Sequence, residues 1–239
     1  MFDFIRKQAL WEALDAGLDR DLEQAKTIFH LKSIQDLIVL ARLRELRGAR
    51  IAEVGAGNSR ILPLLAAEND CVTVEKFEGQ GGGPTDHKQI KGVPNISAFL
   101  GENNPELADD SFDVVFSISV VEHVPDAAAL TAFHDDQLRI LKPGGLFLHA
   151  IDIYVEDETA PHLVQRFEAY RGWVTDAERV EPVGEVFGGP LAFTCDMASN
   201  PDNVMHAWGR TAPTLNELRQ RAQCVSLLAS GRKRTAAAA

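Results

Sequence analysis

A chain of 239 residues, 45% apolar and 25% charged, has the make-up of one folded domain with attachments, which excludes disorder and fibrous repeats. No apolar run approaches the roughly 18 residues that cross a bilayer, and the opening residues mix charges into an amphipathic pattern in place of a secretory core, so the expected home is the cytoplasm. A net charge of −11 disfavours a sequence-independent grip on nucleic acid, which rests on lysine and arginine.

From Phe2 to about Arg47 apolar residues recur at helical spacing, for example Leu31, Ile34, Leu37, Ile38 and Ala41, which predicts two or three amphipathic helices. Arg50 to Val54 reads as a short buried strand running into Gly55-Ala56-Gly57, and a helix follows, capped by Asn58 or Ser59 and carrying Ile61, Leu62, Leu64 and Leu65. A second strand, Cys71 to Val74, ends at Glu75, and a glycine-rich loop spans Gly79 to Pro84. A third strand is expected around Ile96 to Leu100 and a fourth over Val114 to Ile118, whose unbroken apolar run suits a sheet covered on both faces. A helix from about Asp126 to Leu141 ends at Pro143-Gly144-Gly145 and leads to a fifth strand, Leu146 to Ile151.

Beyond Ile151 the pattern loosens into a helix near Pro161 to Tyr170, a strand near Leu191 to Met197, a helix near Leu215 to Ala222 and a strand from Cys224 to Ala229. Cys71, Cys195 and Cys224 are odd in number and scattered, so they read as reduced thiols. Arg232, Lys233 and Arg234, followed by Thr235 and four alanines, read as a solvated tail. The alternation of strand and helix predicts a doubly wound sheet, with ligands bound beyond the carboxyl ends of its strands.

A glycine turn between strand and helix suits many nucleotide ligands. Arg60 stands where a dinucleotide fingerprint wants its third glycine, and no GK[ST] follows, so neither a pyrophosphate site nor a P-loop is favoured. Ile51-Ala52-Glu53-Val54-Gly55-Ala56-Gly57, Glu75, Gly101-Glu102-Asn103, Ser111-Phe112-Asp113-Val114-Val115, Val121-Glu122-His123-Val124-Pro125-Asp126 and Leu141-Lys142-Pro143-Gly144-Gly145 occur in that order. In these blocks the chain resembles the class I S-adenosylmethionine-dependent methyltransferases, nearest to the subgroup containing quinone-biosynthesis methyltransferases.

The resemblance implies an α/β fold, a doubly wound, mostly parallel seven-stranded sheet of Rossmann-like methyltransferase type with amino-terminal helices. It also implies S-adenosyl-L-methionine as cofactor, with Glu53, Gly55, Ala56 and Gly57 at the methionine part, Glu75 on the ribose hydroxyls and Glu102 and Asn103 at the adenine. Lys76 and Ser119 complete the expected cofactor set. Ser59 departs from the family's usual third glycine but keeps the capacity to cap the helix.

Methyl transfer from a sulfonium is an in-line displacement that needs alignment and desolvation, and a hydroxyl acceptor gains from a nearby base. His123 is the candidate base because it follows the fourth strand and imidazole titrates near neutral pH. His149 and Asp152 flank the end of the fifth strand as further bases, and with Glu122 as a lesser magnesium alternative. Strand alternation turns His149 toward a covering helix, and no metal is assigned.

The expected organisation is a helical cover over residues 1–47, a cofactor-binding core over 48–152, substrate-side elements of the same domain over 153–232 and a tail over 233–239. The acceptor is expected to be a small molecule or a sugar, most readily a hydroxyl, with substrate contacts near Thr194 to Asp202, Tyr154, Trp173 and Trp208 or in the amino-terminal helices. The alternatives are an N- or C-methyltransferase of a small metabolite and a non-catalytic cofactor-binding subunit.

Overall fold

The computed structural model describes residues 1–22, 31–79, 83–86, 89–155, 161–184, 189–194 and 223–235. The first elements are β1 (Phe2–Phe4), α1 (Lys7–Asp15), α2 (Leu31–Leu43), β2 (Arg50–Val54), α3 (Leu62–Leu65), β3 (Asp70–Val74) and β4 (Asn95–Ile96). They are followed by β5 (Phe112–Ile118), α4 (Ala127–Ile140), β6 (Leu141–Val155), α5 (Pro161–Thr175), β7 (Val180–Pro182), β8 (Phe193–Thr194) and β9 (Gln223–Lys233). The expected helix near Leu215, Trp208, Cys195 and the tract beyond Thr194 lie outside the described residues.

Strands β4, β3, β2, β5 and β6 lie side by side and parallel, and β9 runs antiparallel along the outer edge of β6. The other edge of β9 takes three short strands end to end: β8 at Cys224 and Val225, β1 at Leu227 to Ala229, and β7 at Gly231 to Lys233. Nine strands therefore fill seven positions, and all but β9 point the same way. The expected seven-stranded, mostly parallel sheet is present, with a mosaic seventh position. Because β2 is flanked by β3 on one side and β5 on the other, its carboxyl end is the topological switch point where such sheets bind ligands.

Side-chain alternation divides the core between the two faces. Leu148 and Ala150 join α1, α2 and α3 on one face, whereas Phe147 and Ile151 join α4 and α5 on the other. Polar residues follow the same parity: Asp152 accepts from Gln35 of α2, and His149 meets Gln137 of α4.

The structure corrects several boundaries. Phe2–Phe4 is a strand and not the start of a helix, since β9 offers an open edge and Phe2 and Phe4 both pack on Phe167 of α5, at 5.0 and 6.1 Å between ring centroids. Strand β4 stops at Ile96, because the chain beyond it turns away so that the Gly101 amide reaches Asp136 of α4 at 2.7 Å. Strand β6 starts at Leu141, with Pro143-Gly144-Gly145 absorbed in a register shift against β5. Helix α5 continues to Thr175. The basic run is no solvated tail where it meets the sheet: Lys233 closes β9 and bonds Asp110 at 2.6 Å and the Leu141 carbonyl at 2.9 Å.

Candidate functional site

A cavity of about 590 Å³ opens at the switch point, walled by the turn after β2, the ends of β3 and β5, the segment after β4 and Lys32 of α2. Gly55 and Gly57 take φ of +64° and +51°, and a Cβ at Gly55 would lie 2.5 Å from Val120 Cγ2, so only glycine lets this backbone approach the neighbouring loop. Ser59 stabilises the turn from beneath. Its hydroxyl accepts from the Leu62 amide at 3.0 Å and donates to the buried Glu53 carboxyl. Burial pushes the Glu53 acid up to about 8 against the opposing pull of Ser59, so at neutral pH it is mostly protonated.

Arg60, read in the sequence only as an obstacle to pyrophosphate, lines the cavity and grips Asp36 of α2 through two contacts, one at 2.8 Å. Asp36 is 2% exposed, so the pair ties the helical cover to the glycine turn in a low-dielectric setting. Lys32, on the same helix, also reaches the cavity wall. Neither was visible beforehand, since nothing local in α2 marks which of its polar residues faces a cleft.

Glu75 is buried at the end of β3, and its Oε1 accepts the amides of Lys76 at 2.9 Å and Phe77 at 3.1 Å. Glu102 lines the cavity while its carboxylate takes the Lys76 ammonium at 2.6 Å and the Phe99 amide at 3.2 Å. The ion pair with Lys76 holds the Glu102 carboxyl below its usual range. Of the expected cofactor set, Glu53, Gly55, Ala56, Gly57, Glu75, Glu102 and Ser119 line this cavity, whereas Lys76 and Asn103 do not. Lys76 lies over the Phe99 ring at 4.7 Å, and Asn103, at φ +53°, gives its amide to Asp136. Phe77, Asn103 and Ser119 are left-handed non-glycine residues, and each lies beyond the carboxyl end of a strand bordering the cleft.

Behind Ser119, which lines the cavity, lies a polar network on the α2 face of the sheet. Gln35 donates to Asp152 and to Ser226, both at 2.8 Å, and Ser119 Oγ lies 2.7 Å from Gln35 Oε1 and 2.9 Å from Asp152 Oδ1. Beside it, Val121–His123 forms a 3₁₀ turn whose Val121 and Glu122 carbonyls accept Arg166 of α5 at 3.0 and 2.9 Å. His123 lines the cavity, and its Nε2 lies 4.0 Å from Glu122 Oε1. Both Glu122 carboxyl oxygens are buried without a hydrogen bond, and burial first, then Asp152, holds this acid well above its usual range.

His149 is excluded as a base. It lies on the opposite face, fully buried, with Nδ1 2.8 Å from Ser117 Oγ and Nε2 2.6 Å from Gln137 Oε1. Burial lowers its pKa to about 3 and that of the adjoining His134 to about 4. Trp173 belongs to the same packed group, its ring stacked on His134 at 5.1 Å and on Phe133 at 5.7 Å, so it makes core and not a substrate wall. Among the described residues, no group of three or more His, Cys, Asp or Glu is placed to hold a metal ion, and no helix is long and apolar enough to cross a membrane.

Residues 52–149 match the methyltransferase domain family Methyltransf_11. Over 111 residues, 45% of this chain, the protein is 33% identical to a ubiquinone biosynthesis O-methyltransferase of Paramagnetospirillum magneticum. The match spans 42% of that relative, less than half its length. Among solved structures, a geranyl diphosphate C-methyltransferase from Streptomyces coelicolor A3(2), in complex with Mg2+, geranyl diphosphate and S-adenosyl-L-homocysteine, superposes with a TM-score of 0.53 at 12% identity, covering 85% of this chain and 79% of that one. The [4+2]-cyclase SpnF superposes with a TM-score of 0.51 at 15% identity, covering 84% of this chain and 80% of that one. At such identity both likenesses speak to the fold alone.

Proposed function

We propose that this chain, whose residues 52–149 match a methyltransferase domain family, transfers a methyl group from S-adenosylmethionine to a hydroxyl of a small-molecule or sugar acceptor. The observation that carries the reading is the order of groups around one cleft: a turn in which Gly55 tolerates no Cβ, Glu75 after β3 and Glu102 after β4. Those groups match a cofactor with an amino-acid end, a ribose and a base. The turn lets the methionine part approach the backbone, and Lys32 supplies a cation for its carboxylate. Glu75, with Oε1 held by two amides, presents its other oxygen to the ribose hydroxyls. Glu102 faces the adenine amine, and Asn103 and Lys76 serve by shaping and charging that segment.

When bound, S-adenosylmethionine supplies an electrophilic methyl on a sulfonium sulfur. The residues of this chain align the acceptor oxygen behind that methyl and exclude water. His123, on the cavity wall, takes the hydroxyl proton as the oxygen–carbon bond forms and the carbon–sulfur bond breaks. Titration calorimetry with S-adenosylhomocysteine and NAD, followed by a methyl-transfer screen over hydroxylated small molecules and sugars, tests the reading. Micromolar binding of S-adenosylhomocysteine with no comparable NAD binding is expected, and a preference for NAD defeats it.

A further inference from the structure

The least expected group in the molecule is the Glu122 carboxyl. Its side chain is 8% exposed and neither oxygen accepts a hydrogen bond, although buried polar groups are nearly always partnered. The surroundings hold the turn that carries it and leave the carboxyl itself bare. Arg166 clamps the backbone carbonyls of Val121 and Glu122 and lies against Tyr170, 3.2 Å from its hydroxyl. The neighbouring carboxyl, Asp152, is already engaged by Gln35 and Ser119. The charged or titratable groups facing Glu122 are Asp152 of β6, Lys32 of α2, Arg166 and Tyr170 of α5, and His123 on its own turn. Of these, His123 alone carries an imidazole and lines the cavity beside the proposed reaction.

We propose that Glu122 and His123 work as one proton-accepting couple, in which His123 receives the acceptor's proton and Glu122, behind it, is the positioning residue that stabilises the imidazolium. This rests on the proposed methyl transfer. Burial favours the protonated acid while His123 is neutral, and an imidazolium 4.0 Å away favours the carboxylate, so the two groups share one proton and bind it more tightly than His123 would alone. The proton leaves the acceptor oxygen as the methyl arrives, stays on the couple, and passes to water after product departs. No further reactant is needed.

The test follows the His123 ring by NMR across pH in the full chain with labelled histidine, comparing wild type, Glu122→Gln and Glu122→Asp. In wild type His123 is expected to hold its proton at least about tenfold more tightly than in Glu122→Gln, a shift of one pH unit, with partial recovery in Glu122→Asp. Equal titration in wild type and Glu122→Gln overturns the couple, as does tighter proton binding in Glu122→Gln. If Glu122→Gln does not fold, the aspartate variant decides: an unchanged His123 titration there overturns the proposal, and a lowered one supports it. Because this readout needs no methyl donor, failure to bind S-adenosylhomocysteine would defeat the function reading separately.

Discussion

The two faces of the sheet handle buried polar groups in opposite ways. On the α4/α5 face, Ser117, His149, Gln137 and His134 form a hydrogen-bonded chain wrapped in Phe133, Phe147 and Trp173, and both imidazoles are neutral. On the α2 face, Glu53, Asp36, Asp152 and Glu122 are buried acids ranged along the ends of β2, β5 and β6, beside a cavity. Burial therefore does not distinguish packing from function here. What distinguishes them is access: no polar member of the first network lines the cleft, and the second shares Ser119, Arg60 and Lys32 with the cleft wall.

The sharpest way to break this contrast is a matched pair of substitutions. Asp36→Ala strands the Arg60 guanidinium and should cost about 3 kcal/mol of stability, and it should also weaken S-adenosylhomocysteine binding because the glycine turn loses its tie to α2. His149→Ala opens a cavity and unpairs Gln137, again at about 3 kcal/mol, yet should leave that binding within about twofold. Chemical denaturation and calorimetry on both variants decide it, and equal effects on binding would erase the distinction between the faces. Glu75→Ala sharpens the cofactor side alone: a loss of about 2 kcal/mol in binding, roughly thirtyfold, is expected from a lost charged acceptor. Unchanged affinity with an unchanged melt would reduce Glu75 to a cap for its own following amides.

The faces should also lean oppositely with pH. His149 and His134 fall from an ordinary 6.5 to about 3 and about 4, so between those values the unfolded chain binds more protons and stability drops as pH falls below 6.5. Glu53 rises from 4.5 to about 8, so the native state binds more protons there and stability drops as pH climbs from 4.5 through 8. Each group contributes up to about 1.4 kcal/mol per pH unit inside its window. Urea midpoints from pH 4 to 9 should pass through a maximum, with His149→Asn flattening the acid limb and Glu53→Gln the alkaline one. A slope that those variants do not alter would show that other groups set it. The smallest effect is expected for Ser59→Ala, about 1 kcal/mol from the lost hydrogen bond to the Leu62 amide, with Glu53 left without its donor.

The core from β2 to β6 was legible because its strands are largely apolar runs between turn signals, and Glu53, Glu75, Glu102 and His123, singled out through the family resemblance and their places near or after strand ends, line one cleft. Parity along β6 also foretold that His149 faces a helix. Of the seventh sheet position, β8 falls inside the strand expected near Leu191 to Met197, but β1 and β7 were not legible. Strands of two or three residues carry too little periodicity, although the Phe2-Asp3-Phe4 alternation was a faint signal that helical spacing further on obscured. Nor did the sequence reveal that Arg166 clamps the turn at Glu122, or that Arg60 meets Asp36, since both contacts join elements far apart in the chain.

The mosaic seventh position has a consequence for the order of assembly. Among the described strands β1 pairs only with β9, and the contact between Met1 and Ser230 that extends this pairing joins positions 229 apart. During synthesis β1 leaves the ribosome well before β9 and must wait for it. The parallel strands β2 to β6 all precede β9 in the chain, so we expect the edge to close as a late seam of three separate stitches. Pulsed hydrogen exchange during refolding should accordingly protect the amides of β2 and β5 before those of Phe2–Phe4.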